Sequence, residues 1–245
     1  MNYYIYLEYM SNNSDIINWY THPDLKQKII KYDNPNFDVT AMKHPFYAGI
    51  IGAGGTGKTN MLLSLISKMS QKKGTWGHIY VVKKMQEYLY DLLAEKLKDQ
   101  ITFYNHIRDL PSPEDLHIDS QSLMVFDDQI AEGKATQRII FDWFIRARKL
   151  NKFGCSCIII SQAYYPIPKP IRGQFHYIIM LKIKQMRDLT AILADTGRIG
   201  VDKKRMLAMY NDATLEQLSF LKIDTEVKDD DKAFSKGFNG FYKIQ

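Results

Sequence analysis

Gly52-Ala53-Gly54-Gly55-Thr56-Gly57-Lys58-Thr59 places four glycines in six positions, closed by a lysine and a threonine. A polyphosphate needs several N–H donors converging on it with no side chain in the way. Glycine lets the backbone wrap that closely, and Gly52, Gly54, Gly55 and Gly57 supply the freedom. Lys58 is spaced to reach the β and γ phosphates and the Thr59 hydroxyl to ligate Mg²⁺, while Thr56 and Asn60 complete the nucleotide-binding set. The following helix adds the positive end of its dipole to the anion site. This arrangement demands a buried strand before the loop and a helix after it. Phe46-Tyr47-Ala48-Gly49-Ile50-Ile51 and the apolar pattern Met61-Leu62-Leu63, Leu65-Ile66 provide them. The expectation is an α/β, P-loop nucleotide-binding fold with a mostly parallel sheet flanked by helices, taking ATP or a close relative.

The remainder alternates short apolar runs with helical periodicity, as a mostly parallel sheet requires. Strands are predicted over 46–51, 78–82, 101–104, 123–126, 155–160, 175–183 and 218–223. Helices are predicted over 58–71, 86–97, 136–150, 187–194 and 203–210. Residues 1–40, rich in Tyr, Asn and Asp without a sustained period, read as an N-terminal extension packed on a domain spanning 41–224. Residues 225–245 read as a loose, charged C-terminal tail.

In P-loop enzymes a second apolar strand ends in a carboxylate that holds Mg²⁺ through water, because the ion keeps part of its hydration shell. Leu123-Met124-Val125-Phe126-Asp127-Asp128 fits that pattern. Asp127 is the expected metal-side carboxylate and Asp128 the group that polarises an attacking water. A lone Asp after a strand serves equally as a turn or cap residue, but here two stand in succession. Strand 155–160 leads into Ser161-Gln162, and ligands of open α/β sheets sit beyond the carboxyl ends of strands. Gln162 is therefore a γ-phosphate sensor or water-orienting residue; its position fits a solvated strand end as well.

The helix before that strand sets Ile139, Ile140, Trp143, Phe144, Ala147 and Leu150 on one face, with Arg146 at its flank and Arg148 on the exposed side. An arginine supplied to a neighbouring subunit's γ-phosphate stabilises transition-state charge, whereas cations at a helix C-terminus also simply answer the dipole. The segment Tyr164-Tyr165-Pro166-Ile167-Pro168-Lys169-Pro170-Ile171-Arg172 interleaves aromatics with cations, which suits a nucleic-acid backbone or a stiff loop packed over the sheet.

Lys and Arg number 33 against 27 Asp and Glu, a net charge of +6 that mildly favours an anionic partner. Cys155 and Cys157 stand two apart on a predicted strand, share a face and are poorly placed to bridge. They predict buried thiols in an intracellular protein without structural zinc. No apolar run approaches the roughly 18 residues of a membrane span, and the N-terminus lacks a signal-peptide pattern, so no membrane partner is expected.

Together these residues resemble the genome-packaging ATPases of the FtsK and HerA superfamily found in poxviruses, giant DNA viruses and their virophages. The resemblance rests on His44-Pro45-Phe46 leading into Gly52–Thr59, on Phe126-Asp127-Asp128, on Arg146 to Lys149, on Cys155 to Tyr165, and on Ile167 to Arg172. It covers residues 40–224, and the chain's size is similar to that of a virophage packaging protein. It implies a RecA-like sheet, an oligomeric ring, and ATP-driven translocation of double-stranded DNA into a preformed capsid. A capsid or portal-vertex partner and a cytoplasmic viral factory, or association with the virion, are implied too. By resemblance Lys58 and Thr59 contact phosphate and Mg²⁺, Asp127 the metal, Asp128 is catalytic and Gln162 the sensor, and Arg146 or Arg148 acts in trans. Many relatives carry Glu where this chain has Asp128, whose shorter side chain withdraws the carboxylate by one methylene.

A P-loop kinase acting on a small molecule or nucleotide is the alternative, and the chain shows no arginine-rich lid for it. A GTPase reading meets Asn151-Lys152-Phe153-Gly154, where the base-reading carboxylate is missing.

Overall fold

The computed structural model describes residues 19, 22–26, 32–116, 119–150, 152–196 and 201–244. Residues 1–31 and 32–245 separate into two units. The first contains, among its described residues, one short helix, α1 (Pro23–Lys26). All that follows concerns the second.

Its centre is a nine-stranded sheet: β1 (Tyr47–Ile51), β2 (His78–Val82), β3 (Ile101–Tyr104), β4 (Ser122–Asp127), β5 (Cys155–Ser161), β6 (Tyr177–Met180), β7 (Leu221–Asp224), β8 (Phe234–Lys236) and β9 (Gly240–Phe241). The spatial order is β3-β2-β4-β5-β1-β6-β7-β8-β9. Strands β1 to β6 pair in parallel, and β7, β8 and β9 are added antiparallel. The helices are α2 (Phe37–Thr40), α3 (Lys58–Lys68), α4 (Tyr88–Leu97), α5 (Lys134–Arg146), α6 (Lys169–Arg172), α7 (Met186–Thr196) and α8 (Lys203–Ala213).

Parallel strands joined through helices are covered on both faces, which is why β5 is buried along its whole length. Its alternate residues serve different layers. Cys155, Cys157 and Ile159 face the layer built by α5, α6, α7 and α8, and Ile158 and Ile160 face α3 and α4. Both cysteines are buried and free. In α5, Ile140, Trp143, Phe144 and the following Ala147 recur at helical spacing and are all fully buried.

The loose tail expected over 225–245 is not what the structure has. Residues 234–236 and 240–241 extend the sheet, with Phe234 and Ala233 buried, because Phe234 occupies an inward position that the charged residues around it mask in the sequence. Lys222, almost fully buried on β7, donates to the carbonyls of Thr40 (2.9 Å) and Phe238 (2.6 Å). Burial lowers its pKa to about 8. Residues 32–40, read as extension, belong to the compact unit. The buried Asn36 amide donates to the carbonyls of Met69 (2.7 Å) and Lys73 (2.9 Å) and accepts from the Lys72 N–H (2.9 Å), satisfying the C-terminal end of α3. Of the rest of that expectation, residues 1–18, 20, 21 and 27–31 lie outside the described residues.

Candidate functional site

The parallel register brings the carboxyl ends of the central strands level: Ile51 pairs with Ser161 and Met180, and Asp127 with Ile160. Residues 52–59 cross this end between β1 and the start of α3. Gly52 N–H donates to Ser161 (3.2 Å) and Ala53 N–H to Lys182 (2.8 Å), anchoring the loop to the strands on either side. The Ala53 carbonyl accepts from the Thr56 hydroxyl (2.7 Å) and the Lys58 ammonium (3.3 Å), so the lysine folds over the loop it belongs to. Gly55 and Gly57 have φ of 77° and 92°, a left-handed conformation that side chains disfavour. Thr59 is half-buried and Gly54, Gly55 and Asn60 are exposed at the start of α3.

Asp127 ends β4. Burial, and then the neighbouring charge of Asp128 and of Glu87 at the start of α4, raise its pKa to about 6, while the Tyr90 hydroxyl and the Lys58 ammonium oppose that shift. Tyr90, on α4 and 1% exposed, donates to Asp127 Oδ2 at 2.6 Å. Burial and the adjacent Asp127 push the tyrosine's own pKa up, so it stays protonated as a donor. Asp128 turns the chain with φ 50°, its N–H donating to Ile160 (3.1 Å). The Gln162 amide donates to Asp128 Oδ2 at 3.2 Å, and a Cβ on Gly54 would lie 3.9 Å from the same glutamine's Oε1. Lys58, Thr59, Asp127, Asp128 and Gln162 thus gather at one end of the sheet. A hydroxyl and a carboxylate are hard oxygen donors, a set that fits Mg²⁺ shared with phosphate oxygens.

Two cavities lie among these residues and their neighbours. One of about 340 Å³ opens beyond Asp128, Gln162 and Lys84. The other, about 310 Å³, lies across the loop from the acidic pair and is bounded by Gly55, Thr56, Lys182 and residues 214–219, with Leu215 and Leu218 exposed beside it.

Arg146 and Arg148 are not brought to this site. They precede β5 at the opposite end of the sheet. Arg146 pairs with Glu114 (2.5 Å) and Asp142 (3.5 Å), and Arg148 lies 3.3 Å from the His176 ring and 4.0 Å from Glu226. Tyr164, Ile167 and Ile171 are buried and Arg172 pairs with Asp195 at 3.1 Å, so most of the segment 164–172 packs over the sheet. Tyr90 and Glu87 were missed in the sequence, where nothing in the spacing of α4 points across to β4.

The chain matches the family model of the poxvirus A32 protein over residues 35–233. It belongs to the poxvirus A32 protein family. No curated protein sequence matches it. Among solved structures this A32-family chain is similar to the genome packaging NTPase B204 from Sulfolobus turreted icosahedral virus 2 in complex with ATP-gammaS. There the identity is 16% and the TM-score 0.47, over 76% of this chain and 94% of that one. It is also similar to B204, the DNA-packaging ATPase from Sulfolobus turreted icosahedral virus (15%, TM-score 0.49, 79% and 94%). A third likeness is to EssC (ATPases 2 and 3) from Geobacillus thermodenitrificans (13%, TM-score 0.46, 64% and 35%). The A32-family chain is an ATPase of the genome-packaging kind. Among its described residues no helix is long and apolar enough to cross a membrane.

Proposed function

We propose that this protein hydrolyses Mg²⁺-bound ATP to drive double-stranded DNA into a preformed capsid, working as a ring of identical subunits in the cytoplasmic viral factory of an infected cell. The observation that carries the reading is the convergence of Lys58, Thr59, Asp127, Asp128 and Gln162 at one sheet end, in a chain matched to the A32 family over residues 35–233. Lys58 and the N–H groups of residues 52–60 bind the phosphates. Thr59 and Asp127 would hold Mg²⁺, which would neutralise charge on the phosphate oxygens. Asp128, fixed by Gln162, polarises the attacking water. With the γ-phosphate end set on the side of Asp128 and Gln162, the nucleoside extends across the loop toward the cavity between Gly55, Lys182 and residues 214–219.

Arg146 or Arg148 acts, in this reading, only on the γ-phosphate of a neighbouring subunit, after release from Glu114 or Glu226. A capsid or portal-vertex protein is the docking partner. The kinase alternative is not favoured: the pair formed by Asp128 and Gln162 suits a water, and the family match supports a motor.

The test is steady-state ATPase with and without long double-stranded DNA, for the wild type and Lys58→Ala, over a range of protein concentrations. DNA is expected to stimulate turnover, the rate per subunit to rise with concentration, and Lys58→Ala to lower kcat/KM at least about a hundredfold. Hydrolysis indifferent to DNA under all these conditions would remove the physical basis for translocation.

A further inference from the structure

Strand β2 ends beside β4, with Val82 opposite Phe126 in the parallel register. Two residues further along each strand stand Lys84 and Asp128, so a cation leaves the sheet next to the acid that polarises the water. Adjacent strands are roughly 4.8 Å apart, which a lysine side chain spans. Lys84 shares the walls of the cavity of about 340 Å³ with Asp128, Ser161 and Gln162, and among the residues lining that cavity it is the one with a positive charge.

The other cations of this region are engaged elsewhere. Lys83 is buried, donates to Gln86 Oε1 at 2.9 Å and lies 5.5 Å from the centroid of the Phe103 ring. Lys182 borders the other cavity, with Gly55 and Thr56, and Arg146 and Arg148 pair with acids at the opposite end of the sheet. The carboxylate partner of Lys84 is Glu132, and the two side chains are 36% and 44% exposed. An exposed pair of this kind adds little to stability, so a more highly charged anion displaces the carboxylate readily. Lys84 and Glu132 also border a cavity of about 640 Å³, which leaves the lysine open space on both sides. Glu132 itself is fixed to the acidic pair. It closes the short turn Ile130–Glu132, its N–H donates to the Gln129 carbonyl (3.1 Å), and the buried Gln129 amide donates to the carbonyl of Asp127 (2.9 Å).

We propose that Lys84 is a catalytic residue: with ATP bound, its ammonium exchanges Glu132 for the γ-phosphate and stabilises the negative charge on the phosphoryl oxygens in the transition state. The inference rests on the placement of the γ-phosphate beside Asp128 and Gln162, and it adds to that site a cation from the same subunit. In the step itself the water oxygen bonds to the γ-phosphorus. The bond from that phosphorus to the bridging oxygen breaks with its electron pair on ADP, and the water's proton passes by way of Asp128 to solvent. Lys84 neither gains nor loses a proton; it donates N–H groups to the oxygens of the group in transfer.

The experiment measures steady-state ATPase and nucleotide binding for the full-length wild type, Lys84→Ala, Lys84→Arg, Lys84→Gln and Glu132→Gln, with Lys58→Ala as the inactive reference. Lys84→Ala is expected to lower kcat about a hundredfold or more, the usual loss when one donor to transition-state charge is removed. Its affinity for a fluorescent ATP analogue should stay near wild type. It should also fail to trap ADP and Mg²⁺ with aluminium fluoride, a mimic of the phosphoryl group in transfer that the wild type retains. Lys84→Arg should recover part of kcat, and Lys84→Gln none. Glu132→Gln, which frees the lysine, should turn over at least as fast as wild type. A loss in Glu132→Gln equal to that in Lys84→Ala means that activity needs the ion pair and not the free lysine, and overturns the proposal. So does a Lys84→Ala variant that hydrolyses ATP and traps the mimic as the wild type does; with Lys58→Ala inactive in the same assay, the reading of the site still stands. A wild type without ATPase overturns both. Should Lys84→Ala prove unstable in urea, Lys84→Arg against Lys84→Gln decides: a higher kcat in the arginine variant supports the role, and equal values refute it.

Discussion

Replacing Tyr90 with phenylalanine removes one oxygen from a site it does not enter, and the consequence can be worked out. The ring stays, buried at 1% exposure and packed edge-on against Phe103 with centroids 5.7 Å apart, so the core loses no volume. What goes is the 2.6 Å hydrogen bond to Asp127 Oδ2. A hydrogen bond to a charged, partly buried group is worth about 1.5–3 kcal/mol. That bond lowers the Asp127 pKa against burial and against the charge of Asp128. Without it the value moves up from about 6, and a proton competes with the metal nearer neutrality. Loss of a group that orients a metal-binding carboxylate costs about 10- to 100-fold in metal affinity. Tyr90→Phe is therefore expected to raise the Mg²⁺ concentration for half-maximal ATPase by that factor, more at pH 6.5 than at pH 8. Turnover at saturating Mg²⁺ should stay near wild type. The assay is a Mg²⁺ titration of steady-state hydrolysis at both pH values. An unchanged Mg²⁺ dependence, or a loss of turnover that no Mg²⁺ concentration restores, would refute the reasoning.

Gln162→Ala frees Asp128 from its 3.2 Å partner and is expected to lower kcat about a hundredfold with nucleotide affinity held, read by turnover against titration of a fluorescent ATP analogue; equal losses in both would count against a role confined to the reaction. For the arginines, Arg146→Ala and Arg148→Ala subunits mixed into wild type should depress turnover more than in proportion to their fraction if either acts across a subunit boundary, and a strictly proportional decline would rule that out. Burial holds the His44 pKa at about 4 instead of its ordinary 6.5, so unfolding takes up a proton between those values. Stability is then complete above pH 6.5 and falls by about 3 kcal/mol toward pH 4, at about 1.4 kcal/mol per pKa unit. Urea unfolding across that range should show the slope in wild type and lack it in His44→Gln.

The succession of strands along the chain, and which strand ends carry the candidate site residues, were legible because their signals are local. Glycine freedom, a helix beginning at Lys58, and apolar runs ending in Asp127-Asp128 and Ser161-Gln162 each act within a few residues. Parallel pairing then brings such strand ends to one edge without further instruction. The sequence also marked the cation–aromatic segment 164–172, but it offered packing and binding as equal readings. What it could not show was anything set by side chains meeting from distant elements. Tyr90 reaches Asp127 from a helix 37 residues away in sequence. Phe234 draws a charged segment into the sheet, and Lys222 buries its ammonium between the carbonyls of Thr40 and Phe238. Two arginines with equal promise on a helical wheel proved to face the far end of the sheet, paired with acids from other elements. Which cations remain unpaired follows from the whole charge arrangement in three dimensions, because an ion pair depends on distance through space and not on separation along the chain.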